Sequence, residues 1–334
     1  MKIKRIFVIF LVLFLLTACT KKNNDKEVVN VLNWSSYIPD EVIRDFQKEY
    51  NIKVNYGTYS SNEELLAKIT NSKKGTYDVI FPSDYMIELM IERDLIQKMN
   101  VGRLTNVKNI NQIFLNQSYD PHNEYSLPFL STINVIAVNR DNISSDIRGY
   151  KDLMNSKYKN DIVMLDDQRI VIGMALLANG YDMNSVNKEE LAVAKKWLLD
   201  LKSNIKAYDS DSPKSFFITG EVNLGVLWNA EAELAKMENN NIEIIYPEEG
   251  HAISTDNYAI VNGAKNLNNA YLFIDYLLRK EVSDKITKEY PYISPILGVN
   301  NSVIKVSDVF KDGHYVKNIG SNIRDYDKLW ADIK

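Results

Sequence analysis

The feature that most constrains this chain is an alternation, from residue 28 onward, of short β-rich runs with amphipathic segments. Residues 28–32 (VVNVL) are near-continuously apolar, as a strand covered on both faces must be. Pro39-Asp40-Glu41 then opens a segment with Val42, Ile43, Phe46 and Tyr50 at helical spacing. Residues 52–56 form the next strand, and Ser61-Asn62-Glu63-Glu64 has the form of a capping box ahead of Leu65, Leu66 and Ile69. Residues 77–81 make a third strand, with Ser83 placed to cap a helix carrying Met86, Ile87, Met90 and Ile91. Three β-α units in succession predict an α/β fold with a mostly parallel sheet.

A second set follows. Residues 161–165 precede an apolar helix over 171–177, residues 222–227 precede a helix over 231–237, and residues 242–246 form another strand. Between the sets lies the extended segment 132–138 (TINVIAV), and after the second set lies 256–261 (DNYAIV). These two segments suit strands that cross between lobes, so that the chain leaves lobe one, builds lobe two and returns. The expected division is 28–131 plus 257–298 for lobe one and 132–256 plus 299–334 for lobe two, hinged at the crossings. At 334 residues the chain is also too long for one small core.

The N-terminus is of another kind. Lys2, Lys4 and Arg5 precede an apolar run over 6–16 and then Leu16-Thr17-Ala18-Cys19. The run is about half the ~20 residues of a membrane-spanning helix, so residues 1–18 read as a secretory leader. The only cysteine stands at the one position where a lipoprotein would carry its diacylglycerol, and residues 19–27 read as a polar tether. Loss of the leader's three positive charges would take the formal charge from -4 to -7. The expectation is an acidic, lipid-anchored protein on the outer face of a cytoplasmic membrane, in the periplasm or at the cell surface.

Composition narrows the chemistry. With 40 Lys plus Arg against 44 Asp plus Glu, no surface is built to neutralise a phosphate backbone, which argues against nucleic acid. One cysteine and three histidines argue against zinc, iron–sulfur and multi-histidine metal sites. Neither a metal nor another cofactor is expected. There is no nucleophile elbow, P-loop, dinucleotide fingerprint or H-E-x-x-H motif, and the loops are short for a glycoside hydrolase. An enzyme is disfavoured.

Ligands of open parallel sheets sit beyond the carboxyl ends of the strands. Those positions hold Asn33-Trp34-Ser35-Ser36-Tyr37, Tyr59-Ser60 and Pro82-Ser83-Asp84-Tyr85 in the first set. The second set supplies Asp166-Asp167, then Trp228-Asn229-Ala230-Glu231, and the return crossing begins at Asp256. Each has a plain alternative: packing for Trp34 and Trp228, surface for Tyr37 and Tyr85, caps for Ser83, Asp167 and Asp256. Together, at one end of the strands, they make a lining rich in rings and carboxylates, suited to a cation.

Three stretches, NWSSYIP at 33–39, YDVIFPSDY at 77–85 and GEVNLGVLWN at 220–229, resemble the spermidine/putrescine-binding proteins of polyamine ABC transporters, over essentially the whole mature chain. The resemblance implies a two-lobed, type II periplasmic-binding-protein fold with two crossover strands. It also implies a monomeric receptor that delivers a polyamine to a membrane permease driven by a cytoplasmic ATPase. By motif, Trp34, Ser35, Tyr37, Ser83, Asp84 and Tyr85 would contact ligand from lobe one. Asp167, Trp228 and Glu231 would do so from lobe two, Asp256 from the crossing and Tyr292 near the hinge. Two positions depart from the spermidine-type pattern: Ile170 stands where a glutamate is usual and Ser254 where a tryptophan is usual. Glu231 sits where putrescine-type relatives carry an acid, which leads to an expected preference for putrescine, with Asp256 and Glu231 as main carboxylates and Asp167 auxiliary. The competing readings are a receptor for ferric ion or a thiamine-like cation, and a surface sensor or adhesin that kept the fold.

Overall fold

A computed structural model describes residues 27–35, 37–299 and 306–334. The expected leader, Cys19 and most of the tether lie outside the described residues.

The first half is built as the alternation requires. Strand β1 (Glu27–Trp34) leads to helix α1 (Asp40–Tyr50), β2 (Ile52–Tyr59) to α2 (Asn62–Asn71), and β3 (Val79–Ile80) to α3 (Asp84–Glu92), followed by the short β4 (Ile96–Gln97). β1 runs parallel to both β2 and β3. Its apolar run is divided between two cores, Val29 and Val31 packing with Val42 and Phe46 of α1, and Leu32 with Leu65, Met86 and Met90 of α2 and α3. That is the physical reason the run does not alternate. Asn51 closes α1 in the left-handed conformation, which asparagine tolerates. At α2, Ser61 Oγ accepts from Glu64 N at 3.1 Å, but the Glu64 carboxylate returns to Ser60 rather than Ser61, so the expected capping box is shifted by one residue.

The third strand is shorter than residues 77–81, although Asp78 still bonds to both neighbouring strands, its N–H donating to Asn30 O at 2.8 Å and its carbonyl accepting from Val261 N at 3.1 Å. Asp78 accepts from the backbone and side chain of Asn30 and of Asn266. The Phe81 carbonyl takes Trp34 Nε1 at 3.0 Å and Tyr59 OH at 2.6 Å.

The chain crosses on β5 (Ser126–Asn139), all of whose residues are buried. In the second half, β6 (Ile162–Met164) precedes α4 (Gln168–Ala178) and α5 (Lys188–Leu201), and β7 (Ile205–Tyr208) precedes α6 (Lys214–Ile218). Then come β8 (Leu224–Trp228), α7 (Asn229–Glu238), β9 (Ile242–Ile245) and the return crossing β10 (His251–Val261). The chain continues through α8 (Leu267–Leu277), α9 (Lys280–Glu289), α10 (Val306–Lys311), β11 (Gly313–Tyr315) and α11 (Ile323–Ile333). Strand order is β2-β1-β3-β10-β5-β8-β6-β7, with β4 and β11 on β10 and β9 on β5. β5 pairs with β10 through its first part and with β8 and β9 through its last, so it belongs to both halves, while β10 joins β11 at its start and β3 and β4 at its end. The second core forms around α4, which is buried on nearly all sides, and takes in Tyr326, Leu329 and Ile333 of α11; Val299 packs in the first core.

Candidate functional site

A cavity of about 800 Å³ opens between the halves at the carboxyl ends of the strands. From the first half it is lined by Trp34, Ser35, Tyr37, Tyr59, Glu63, Ser83 and Tyr85, and from the second by Asp167, Arg169, Ile170, Lys214, Trp228 and Glu231. The crossings add Thr132, Ser254 and Asp256, and the later segments add Tyr290, Tyr292, Asp327 and Trp330.

Asp256 lies at the centre of the hydrogen bonding. It is 3% exposed, and its two oxygens accept from Tyr37 OH and from Ser83 Oγ, each at 2.7 Å. Ser83 in turn accepts from Asn62 Nδ2 at 3.1 Å. The helix cap expected of Ser83 is therefore not formed: the residue occupies the N-cap position of α3, but its hydroxyl proton is given to Asp256. Burial pushes the Asp256 carboxyl up to about 6, against the lowering effect of its hydroxyl donors. Both donors are neutral, so an ionised Asp256 keeps its full charge.

The walls are rings. Trp34 ends β1 and is anchored through Nε1, with its ring 4.6 Å from that of Tyr59. Tyr37 packs against Tyr292, the two rings 4.6 Å apart and tilted by 39°. Trp228 ends β8, half-buried against the second core. For both tryptophans, packing and lining are aspects of one placement.

Asp167 is also two things at once. It caps α4, Oδ1 accepting from Arg169 N at 2.8 Å and Ile170 N at 3.1 Å, while Oδ2 takes no part in the cap. Burial raises its pKa. Tyr85 OH donates to Glu63 at 3.3 Å nearby.

Two of the expected residues are placed differently from the rest. Asp84 does not line the cavity. It is fully buried beneath it, its carboxyl accepting from Tyr85 N and Thr255 N, and burial pushes it up to about 8. Glu231 does line the cavity, but Lys214 Nζ lies 2.9 Å from each of its oxygens, so its charge is already met. Glu63 follows the end of β2 and was open to the strand-end rule. Lys214 follows β7, a strand that periodicity does not reveal. Asp327 and Trp330 come from a C-terminal helix that carries no strand-end signal.

Seven carboxylates and two basic side chains line the cavity, with eight aromatic rings. The sequence profile of the bacterial extracellular solute-binding proteins matches residues 41–314. The chain belongs to that family. Among solute-binding proteins it is 33% identical to the spermidine/putrescine-binding periplasmic protein of Salmonella typhimurium, covering 93% of this chain and 92% of that one. The TpPotD lipoprotein of Treponema pallidum superposes with a TM-score of 0.86 at 26% identity, covering 92% of this chain and 99% of that one. The spermidine/putrescine ABC transporter substrate-binding protein PotD of Streptococcus pneumoniae gives 0.80 at 29%, covering 92% and 98%. The two-lobed solute-binding-protein fold expected from the sequence is the one found. Among the described residues of this solute-binding protein, no helix is long and apolar enough to cross a membrane.

Proposed function

We propose that this protein is the extracytoplasmic receptor of a polyamine ABC transporter, binding putrescine or spermidine and delivering it to a membrane permease driven by a cytoplasmic ATPase. The observation that carries this reading is Asp256: a buried carboxylate held by neutral hydroxyls, walled by Trp34, Tyr37 and Tyr292, in a cavity where acids outnumber bases. A flexible diammonium chain needs that combination. Its ends require uncompensated carboxylates, and its methylenes and charged ends both gain from ring faces. The relatives named for spermidine and putrescine support the same ligand class.

In this reading Trp34, Ser35, Tyr37, Tyr85, Trp228 and Tyr292 form the walls, and Ser83 orients Asp256. Asp167 serves the other ammonium. The receptor works as a monomer, held to the outer face of the membrane through lipid on Cys19, and performs no reaction on its ligand. Calorimetric titration of the mature protein with putrescine, cadaverine, spermidine and spermine tests it. Saturable one-to-one binding of at least one is expected, with a stabilisation of about 2.7 kcal/mol at a hundredfold excess over Kd. No heat and no shift of melting temperature with any of the four would sink it.

A further inference from the structure

The carboxylates of the cavity differ in the kind of partner they have. Asp256 is held by two hydroxyls, Asp167 by backbone N–H groups on one oxygen, with the Arg169 guanidinium a charged neighbour that is not hydrogen-bonded to it, and Glu63 by a tyrosine hydroxyl. A carboxylate with neutral donors keeps its unit of charge for a ligand. Glu231 instead faces a full ammonium at 2.9 Å from both oxygens, with the two side chains only 28% and 10% exposed.

That pair is built in rather than incidental. Lys214 opens α6, just after a turn in which Asp209 Oδ1 accepts from the backbones of Asp211 and Ser212, at 2.8 and 3.0 Å. Glu231 lies in the first turn of α7, which packs on α6. Both helices belong to the second half, so the contact forms whatever the two halves do relative to each other. The ring of Tyr292, 4.6 Å from that of Tyr37 and tilted to it, has both Glu231 and Asp256 as charged neighbours, so the Lys214–Glu231 pair lines the same region of the cavity as Asp256.

We infer that Lys214 is a resident ammonium that withdraws Glu231 from the ligand and sets ligand length, favouring a diamine over a triamine. This rests on the polyamine reading and deepens it. A diamine meets Asp256 with one end and the Asp167–Glu63 region with the other. A third amino group reaching toward Glu231 finds no uncompensated carboxylate and meets the like charge of Lys214, at a part-buried site where an unmatched charge is penalised. The preference for putrescine that the sequence suggested is thus retained for the opposite reason: Glu231 acts through its neutralisation and not by holding the ligand.

The test is calorimetry with putrescine and spermidine on wild type, Lys214→Met and the double variant K214M/E231Q. Methionine keeps an unbranched stem over α7 and removes the charge. Freeing a carboxylate for an ammonium should improve spermidine relative to putrescine by roughly tenfold or more, the strength of a hydrogen bond between charged groups. The gain should vanish in K214M/E231Q, which locates it on the freed carboxylate rather than on vacated space. A spermidine-to-putrescine ratio within about twofold of wild type in K214M overturns the inference, as does a gain that persists in the double variant. If K214M does not fold, Lys214→Gln, which still donates a hydrogen bond to Glu231, is read by the same ratio. A folded wild type that binds neither amine overturns the polyamine reading itself, and this inference with it.

Discussion

Asp256 brings together burial, hydrogen bonding and charge in one side chain. Its surroundings are Tyr37, Ser83, Trp34 and Tyr59 from the first half, Tyr292, and the buried Asp84 below. With Asp84 pushed up to about 8, that neighbour is neutral across the acidic range. Asp256, raised to about 6 by burial, is more stable protonated than an exposed carboxylate would be. For the unliganded protein, the stabilisation this raised value brings is complete below the ordinary carboxylate range and is lost as pH rises through about 6. A bound cation reverses the preference, since it favours the ionised form. Polyamine affinity should therefore fall about tenfold per pH unit below the shifted value and level off above about pH 7. Titrations between pH 5 and 8 check this, with proton release read from buffers of different ionisation enthalpy. Asp256→Asn should abolish the slope along with most of the affinity. A flat profile in the wild type would show that Asp256 is not the titrating partner of the ligand. Much of this site could be read from residue order, because Trp34, Tyr37, Ser83, Asp167, Trp228 and Asp256 all follow or begin predicted strands. What could not be read is which carboxylates are already neutralised. That depends on Lys214 and Lys334, which pair with Glu231 and Asp166, and on the fully buried position of Asp84, all set by tertiary packing.

At the scale of elements, the same distinction holds between period and partner. The continuous apolar run of β1 and the helical spacing of Val42 and Phe46 were legible, because burial on two faces and on one face leave different periods. β7 was not legible, being short and only part-buried. The start of β5 was hidden by Pro128, which usually argues against a strand. Asp256 pairs with Leu130 while Asn257 pairs with Pro128, so Phe129 is the extra residue of a bulge, and the proline sits where the ladder is already irregular. Asp78, just before β3, has a carboxylate that gathers four N–H donors from Asn30 and Asn266 and so ties β1 to the segment before α8. Asp78 is fully buried and lies away from the cavity. Asp78→Ala strands those donors, each at a penalty of about 1–3 kcal/mol where buried, and should destabilise the protein by roughly 3 kcal/mol or more. Thermal or urea unfolding measures the loss, and the folded fraction should bind polyamine as the wild type does. A change of less than about 1 kcal/mol would mean that water replaces Asp78 at no loss.

For the whole molecule, the bulge and the site meet at the crossing strands. Asp256 lies on β10 beside the bulge, the rings of Trp34 and Tyr37 come from one half, and Asp167 and Trp228 come from the other. A ligand touching only one half would leave the relation between halves unchanged, since an equilibrium shifts only by the difference in affinity for its two states. A diamine that needs Asp256 at one end and Asp167 at the other binds best when the halves approach, and rotation about two crossing strands requires little repacking. Scattering at saturating putrescine should show a smaller radius of gyration than the unliganded protein. Tryptophan emission should shift as well, because Trp34, Trp228 and Trp330 line the cavity from different elements. Asp167→Asn provides the discriminating variant: it keeps the ring walls and Asp256, yet removes the charge by which the second half gains from closure. It should bind putrescine more weakly and, at saturation, compact less. Equal compaction in wild type and Asp167→Asn would place the closing force elsewhere, and no compaction in either, with unchanged emission, would remove the hinge from the account.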